Sequence, residues 1–131
     1  MEKIKTLAEI ARKAREKAYA PYSSFLVGAA LLCADGSIYE GCNIENASFT
    51  PTCCAERVAL FSAVADGKRD FSAIAISGGK QGEPCEACYP CGVCRQVLSE
   101  FCSADFRVIV AADNEMSETT LGEILPKAFK F

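Results

Sequence analysis

Two short cysteine-bearing stretches constrain this chain most: Cys54-Ala55-Glu56 and Pro90-Cys91-Gly92-Val93-Cys94. Each opens a segment of helical character. Cys54 heads residues 54–66, filled by Ala55, Val58, Ala59 and Phe61. Cys91 heads residues 91–102, where Val93, Val97, Leu98 and Phe101 recur at roughly helical spacing. The positive end of a helix dipole and its free N–H groups favour a thiolate. A fold that brings the two helix starts together therefore collects three thiolates, Cys54, Cys91 and Cys94, the last two one turn apart. Such a set leaves a tetrahedral zinc one open position, the layout of a catalytic site, because a structural zinc fills all four positions with protein. Glu56 lies two residues past its cysteine, where it can face the open position as a proton carrier rather than as a ligand.

The rest of the chain predicts the scaffold for those helices. Residues 3–19 form an amphipathic pattern, with Ile4, Leu7, Ala8, Ala11, Ala14 and Ala18 on one face and a solvated basic face opposite. Pro21 ends it. Residues 25–33 and 37–43 are apolar or alternating runs around Ala34-Asp35-Gly36, a hairpin signal. Asn43 and Glu45 follow, two apart on an extended backbone, so that an amide and a carboxylate project together. Residues 47–52 read as a loop, with Thr52 capping the helix of Cys54 and Glu56. A strand is expected over 71–77, a glycine-rich loop over 77–90, a strand over 106–112, a turn at Asp113-Asn114-Glu115 and a short helix near 120–125 before Pro126. The outcome is an α/β chain: a mixed sheet sandwiched by helices in the order α-β-β-α-β-α-β-α, with right-handed parallel crossovers.

With 131 residues, half of them hydrophobic, residues 1–131 are expected to form one domain. A net charge of −3, from 14 basic and 17 acidic residues, provides no electrostatic footprint for nucleic acid or an anionic membrane. The longest apolar run, residues 25–34, is too short to span a bilayer. Nine cysteines, an odd number with several spaced two apart and no secretory signal ahead of them, point to a reduced, cytoplasmic setting rather than a disulfide framework. The chain has no histidine. That removes imidazole as ligand and as proton shuttle, and with it hydrolase mechanisms built on a histidine base.

Cys-Ala-Glu followed by Pro-Cys-x-x-Cys resembles the zinc-dependent nucleoside and nucleobase deaminases, and the whole chain resembles the small homotetrameric cytidine deaminases. Matching segments are Tyr19-Ala20-Pro21-Tyr22-Ser23, Val27-Gly28-Ala29-Ala30-Leu31, Asn43-Ile44-Glu45-Asn46-Ala47, Cys54-Ala55-Glu56-Arg57, Pro90-Cys91-Gly92-Val93-Cys94-Arg95-Gln96-Val97 and Leu125-Pro126-Lys127-Ala128-Phe129, nearly end to end. The resemblance implies a cytidine-deaminase-like fold and hydrolytic removal of the 4-amino group of cytidine or deoxycytidine, in pyrimidine salvage. It implies one Zn2+ per chain on Cys54, Cys91 and Cys94, with Glu56 as the catalytic proton carrier. It further implies nucleoside contacts from Phe25, Asn43, Glu45 and Ala55, and from Phe129 of a neighbouring subunit. Arg57 resembles the residue that hydrogen-bonds the ligand sulfurs and offsets the formal −1 charge of zinc with three thiolates.

The cysteines admit a rival reading. Cys85-x-x-Cys88-x-x-Cys91-x-x-Cys94 resembles an iron–sulfur run, although the ferredoxin pattern has a different last gap and its proline after the fourth cysteine. A non-catalytic zinc module holding its metal through the same four cysteines is the other form of that rival. Both leave Cys54-Ala55-Glu56 and Asn43–Glu45 unexplained. Two positions depart from the family pattern. Cys85 and Cys88 lie in a loop that is commonly shorter, and Phe49 replaces a tyrosine, keeping the ring and losing the hydroxyl.

Overall fold

The computed structural model describes residues 2–131. Helix α1 spans Glu2–Ala14 and runs into a 3-10 turn, Arg15–Lys17. Strands β1 (Phe25–Cys33) and β2 (Ile38–Cys42) form the expected hairpin. Helix α2 (Ala55–Ala65), strand β3 (Phe71–Lys80), helix α3 (Gly92–Phe101), strand β4 (Arg107–Ala111), strand β5 (Met116–Thr120) and helix α4 (Leu121–Ile124) complete the chain. The sheet order is β2-β1-β3-β4-β5. Within it, β1 is antiparallel to both β2 and β3, β3 and β4 are parallel, and β5 returns antiparallel to β4.

Period-two alternation decides the layers. On β1, Ala29, Leu31 and Cys33 join α2 and α3 residues on one face, while Ala30 and Leu32 meet Ile4, Leu7 and Ala11 of α1 on the other. Strand β3 divides the same way, Ile74 and Ile76 against Ala73 and Ala75. Because both faces of these strands are covered, they read as continuous apolar runs. Two glycines set the approach of the helices. A β-carbon at Gly28 would stand 2.1 Å from Ala11 O, and one at Gly41 would stand 2.3 Å from Ala55 O, so α1 and α2 lie backbone-to-backbone on the sheet.

Four expectations need correction. The order is α-β-β-α-β-α-β-β-α, because Met116–Thr120, expected as turn and loop, is an edge strand. Its sequence, Met-Ser-Glu-Thr-Thr, shows no apolar alternation; pairing with β4 and the Arg107–Glu118 ion pair hold it. The first helix ends at Ala14 rather than residue 19, since Tyr19 is already extended and bridged to Ile44. Strand β3 continues three residues further, through Gly78 and Gly79, in register with Val27 and Leu26. Thr52 does not cap α2: Cys53 is still bridged to Ile44, the N-cap residue is Cys54, and Thr52 Oγ1 instead accepts from Asn46 N at 3.2 Å.

Candidate active site

Helices α2 and α3 pack together on one face of the sheet, and their N-termini meet. Cys54 is the N-cap residue of α2 and Cys91 that of α3. Cys91 Sγ accepts a hydrogen bond from Cys94 N at 3.4 Å, the capping bond that the start of α3 needs. Cys91 Sγ lies 3.9 Å from Cys54 Sγ and 3.5 Å from Cys94 Sγ, and all three sulfurs fall within 4.8 Å of one another. Zinc–thiolate bonds of about 2.3 Å put sulfurs at tetrahedral corners about 3.8 Å apart. The three cysteines are therefore close enough to share one zinc. Cys94 is buried, Cys54 half-buried and Cys91 exposed, so the triad opens on the Cys91 side.

Electrostatics favour the same use. Hydrogen bonds from the Cys94 thiol and from Arg57 hold the Cys54 thiol well below its ordinary value, while sharing a proton with Cys54 pushes Cys94 up. Arg57 Nη2 sits 3.4 Å from Cys54 Sγ and 3.4 Å from Thr52 O. Glu56, on the first turn of α2, is only 4% exposed, and burial pushes its carboxyl up to about 7. The N–H groups of that turn, at Ala55 and Glu56, have no intrahelical acceptor.

Cys85 and Cys88 lie outside the triad. Cys85 Sγ accepts from Arg15 Nη1 at 3.1 Å, and Arg15 Nη2 also binds Lys80 O and Glu83 O. Cys88 Sγ, the Phe25 ring edge and Val27 converge on Gly78, each 3.0–3.2 Å from where its β-carbon would stand. Among the described residues, the group of ligand atoms close enough to share a metal is Cys54, Cys91 and Cys94. The four-cysteine cluster does not form.

The other predicted residues fall in three places. Asn43 closes the start of β1, its Oδ1 accepting from Val27 N at 2.8 Å and its Nδ2 donating to Phe25 O at 2.9 Å. Glu45 is buried, and its carboxylate accepts from Tyr22 N, Ser23 N and Ser23 Oγ. Burial raises the Glu45 carboxyl, but these donors outweigh it and keep the group below the usual carboxylate value. Ala55 is fully buried, and Phe25 is half-buried beside Cys88.

Phe129 is not brought to the thiols of its own chain. The tail is pinned along α3 by Gln96 Nε2 on Phe129 O at 3.1 Å and by Lys130 Nζ on Ser99 O at 3.2 Å, leaving Phe129 69% exposed. Phe49, on the exposed 46–51 loop, has a positive φ of 59°. Sequence reasoning assigned no role to Ser23 or to Arg95. Arg95 ties the start of α3 to α4 through Pro90 O at 2.7 Å and Ile124 O at 2.8 Å. Ser23 lies in the segment Tyr19-Ala20-Pro21-Tyr22-Ser23 and Arg95 directly follows Cys94, which is the one signal in the sequence that marks them.

Three thiols on two helix N-termini, open on one side and adjoined by a buried carboxylate, define a zinc-dependent hydrolytic centre. Similar known proteins point the same way. The family model for the cytidine and deoxycytidylate deaminase zinc-binding region matches residues 1–112. Cytidine deaminase of Sporosarcina psychrophila is 49% identical over 98% of this chain and 92% of that protein. Cytidine deaminase of Halalkalibacterium halodurans is 50% identical over 94% of this chain and 91% of its own length. The crystal structure of cytidine deaminase from Burkholderia pseudomallei superposes with a TM-score of 0.87 at 48% identity, covering 95% of this chain and 98% of that one. This chain belongs to the cytidine and deoxycytidylate deaminase family.

Proposed function

We propose that this chain is a cytidine deaminase that hydrolyses the 4-amino group of cytidine and deoxycytidine, consuming water and giving uridine or deoxyuridine and ammonia. The observation that carries the reading is the buried Glu56 carboxylate on the same helical turn as Cys54, beside three sulfurs at zinc spacing. Bound zinc supplies a water-derived nucleophile at neutral pH. Of the two buried glutamates, Glu45 is engaged by the Tyr22–Ser23 backbone and hydroxyl, which leaves Glu56 for proton transfer. Glu56 takes the proton of the attacking water, passes it to the ring nitrogen and helps protonate the departing amine. Arg57 offsets the negative charge of the thiolates. Phe25 stacks on the base, Ala55 lines its pocket, and Asn43 and Glu45 use their remaining hydrogen-bonding capacity on the sugar: one N–H and one lone pair on the amide, about one acceptor site on the carboxylate.

The site is completed in a homotetramer, with Phe129 reaching the pocket of a neighbouring subunit. What supports this is a tail pinned to α3 that leaves Phe129 exposed, together with exposed Tyr89 and Val93 on either side of Cys91 in the chain and exposed Phe61 further along α2. The 131 residues act as one domain, since both apolar clusters share one sheet. Nine free thiols suit the reducing cytoplasm, where the reaction serves pyrimidine salvage. No helix of the described residues is long and apolar enough to cross a membrane. The test is loss of ultraviolet absorbance on incubation with cytidine, deoxycytidine, cytosine and adenosine, alongside a zinc and iron assay. Turnover of the two cytosine nucleosides with one zinc per chain is expected. A zinc-loaded protein that turns over none of them would overturn the proposal.

A further inference from the structure

The Tyr19-Ala20-Pro21-Tyr22-Ser23 motif has no part in the chemistry above, yet it closes a hydrogen-bonded ring through three residues assigned to the nucleoside. A backbone bridge brings it there: Tyr19 N donates to Asn43 O at 3.0 Å and Glu45 N to Tyr19 O at 2.8 Å. Beyond Pro21 the chain turns back. Tyr22 N and Ser23 N donate to Glu45 Oε1 at 2.9 and 3.1 Å, and the Ser23 hydroxyl donates to Oε2. The same Ser23 oxygen accepts from Phe25 N at 3.0 Å, and Phe25 O accepts from Asn43 Nδ2. Ser23 Oγ is thus the atom that joins the Glu45 carboxylate to the backbone of Phe25, and through it to Asn43.

The turn that aims this hydroxyl is held under constraint. Ser24 has a φ of 60°, a conformation that non-glycine residues adopt only when their surroundings impose it. Its N–H donates to Ala20 O at 3.0 Å and its carbonyl accepts from Gln81 N at 2.8 Å, so both sides of the turn are tied down. Neither Ser23 nor Ser24 is buried. Core packing therefore does not account for a network that saturates all but about one acceptor site of a buried carboxylate.

We propose that Ser23 is a positioning residue for the nucleoside: its hydroxyl locks the rotamer of Glu45 and the backbone of Phe25, so that sugar and base are read in one fixed geometry. The inference rests on the reading of Asn43 and Glu45 as sugar ligands. The experiment measures uridine binding by titration calorimetry and cytidine kinetics for the wild type, Ser23→Ala, Ser23→Thr, Glu45→Gln and the Ser23→Ala/Glu45→Gln double variant. Ser23→Ala is expected to weaken uridine binding and raise the cytidine KM by about tenfold or more, the size of one hydrogen bond to an ionised group. Its kcat and zinc content should stay near wild type, and its melting temperature should fall by several degrees, because the hydroxyl also satisfies the buried carboxylate in the free protein. Threonine, which keeps the hydroxyl, should restore most of the affinity, and the double variant should bind no more weakly than Glu45→Gln, because the two residues act as a unit. Glu45→Gln at wild-type affinity would overturn the sugar reading underneath. A weakened Glu45→Gln beside an unaffected Ser23→Ala, a threonine variant as weak as alanine, or additive losses would overturn the role of Ser23 alone.

Discussion

Replacing Gly41 by alanine tests how the sheet aims the site. Gly41 lies on β2 directly under α2, and its new methyl would stand 2.3 Å from Ala55 O and 2.5 Å from Ala59 N, both of them backbone atoms. Ordinary contacts begin at 3.4 Å, so the first turn of α2 must lift by about 1 Å, and neither backbone atom can turn aside as a flexible side chain would. Overpacking of this kind costs about 1–3 kcal/mol. In a chain of this size that lowers the melting temperature by roughly 4–11 °C. The same lift moves Cys54 and Glu56 relative to α3, and a displacement of about 1 Å at a reacting group costs on the order of 100-fold in rate. Calorimetry, zinc analysis and cytidine turnover per zinc-loaded chain read the three effects separately. A Gly41→Ala protein that melts within about 2 °C of wild type and keeps full turnover would refute the backbone-to-backbone seating of α2.

Glu56→Gln should keep zinc and the fold yet lose turnover by about 10²–10⁴-fold, the range of a lost general acid–base; near-wild activity in the zinc-loaded variant would remove Glu56 from the mechanism. Serine at Cys54, Cys91 or Cys94 should each deplete zinc on metal analysis, while Cys85→Ser and Cys88→Ser should leave about one per chain, since three ligands with an open position suffice. Burial pushes the Cys102 thiol up to about 12. At pH 8 its thiolate fraction should then be about a thousandfold below that of an ordinary cysteine, recovering only as pH approaches that value, and mass mapping after iodoacetamide treatment should find it unmodified long after a free thiol has reacted. Mixing inactive Glu56→Gln chains with inactive Phe129→Ala chains and allowing exchange should restore part of the activity if Phe129 acts in trans; no recovery despite proven exchange would place its role in its own chain.

The parts of this protein that depend on neighbours along the chain can be read without its fold. Cys54, Glu56, Cys91 and Cys94 were legible because a helix start is a local event: the cap, the free N–H groups and the one-turn spacing all lie within a few residues. Strands β1 and β3 were legible because burial on both faces writes itself as a continuous apolar run. Strand β5 was not, because Met116–Thr120 is polar and owes its conformation to backbone pairing with β4, which no side-chain period records. Asn43 and Glu45 could be seen to project together, but not to be largely occupied, since their partners Phe25, Val27, Tyr22 and Ser23 lie 16–23 residues back across the β1–β2 hairpin. The sulfur spacing is likewise tertiary. Only the parallel β3-α3-β4 crossover carries α3 to the side of α2, and only the missing side chain of Gly41 lets α2 sink low enough for Cys54 to meet Cys91 at 3.9 Å.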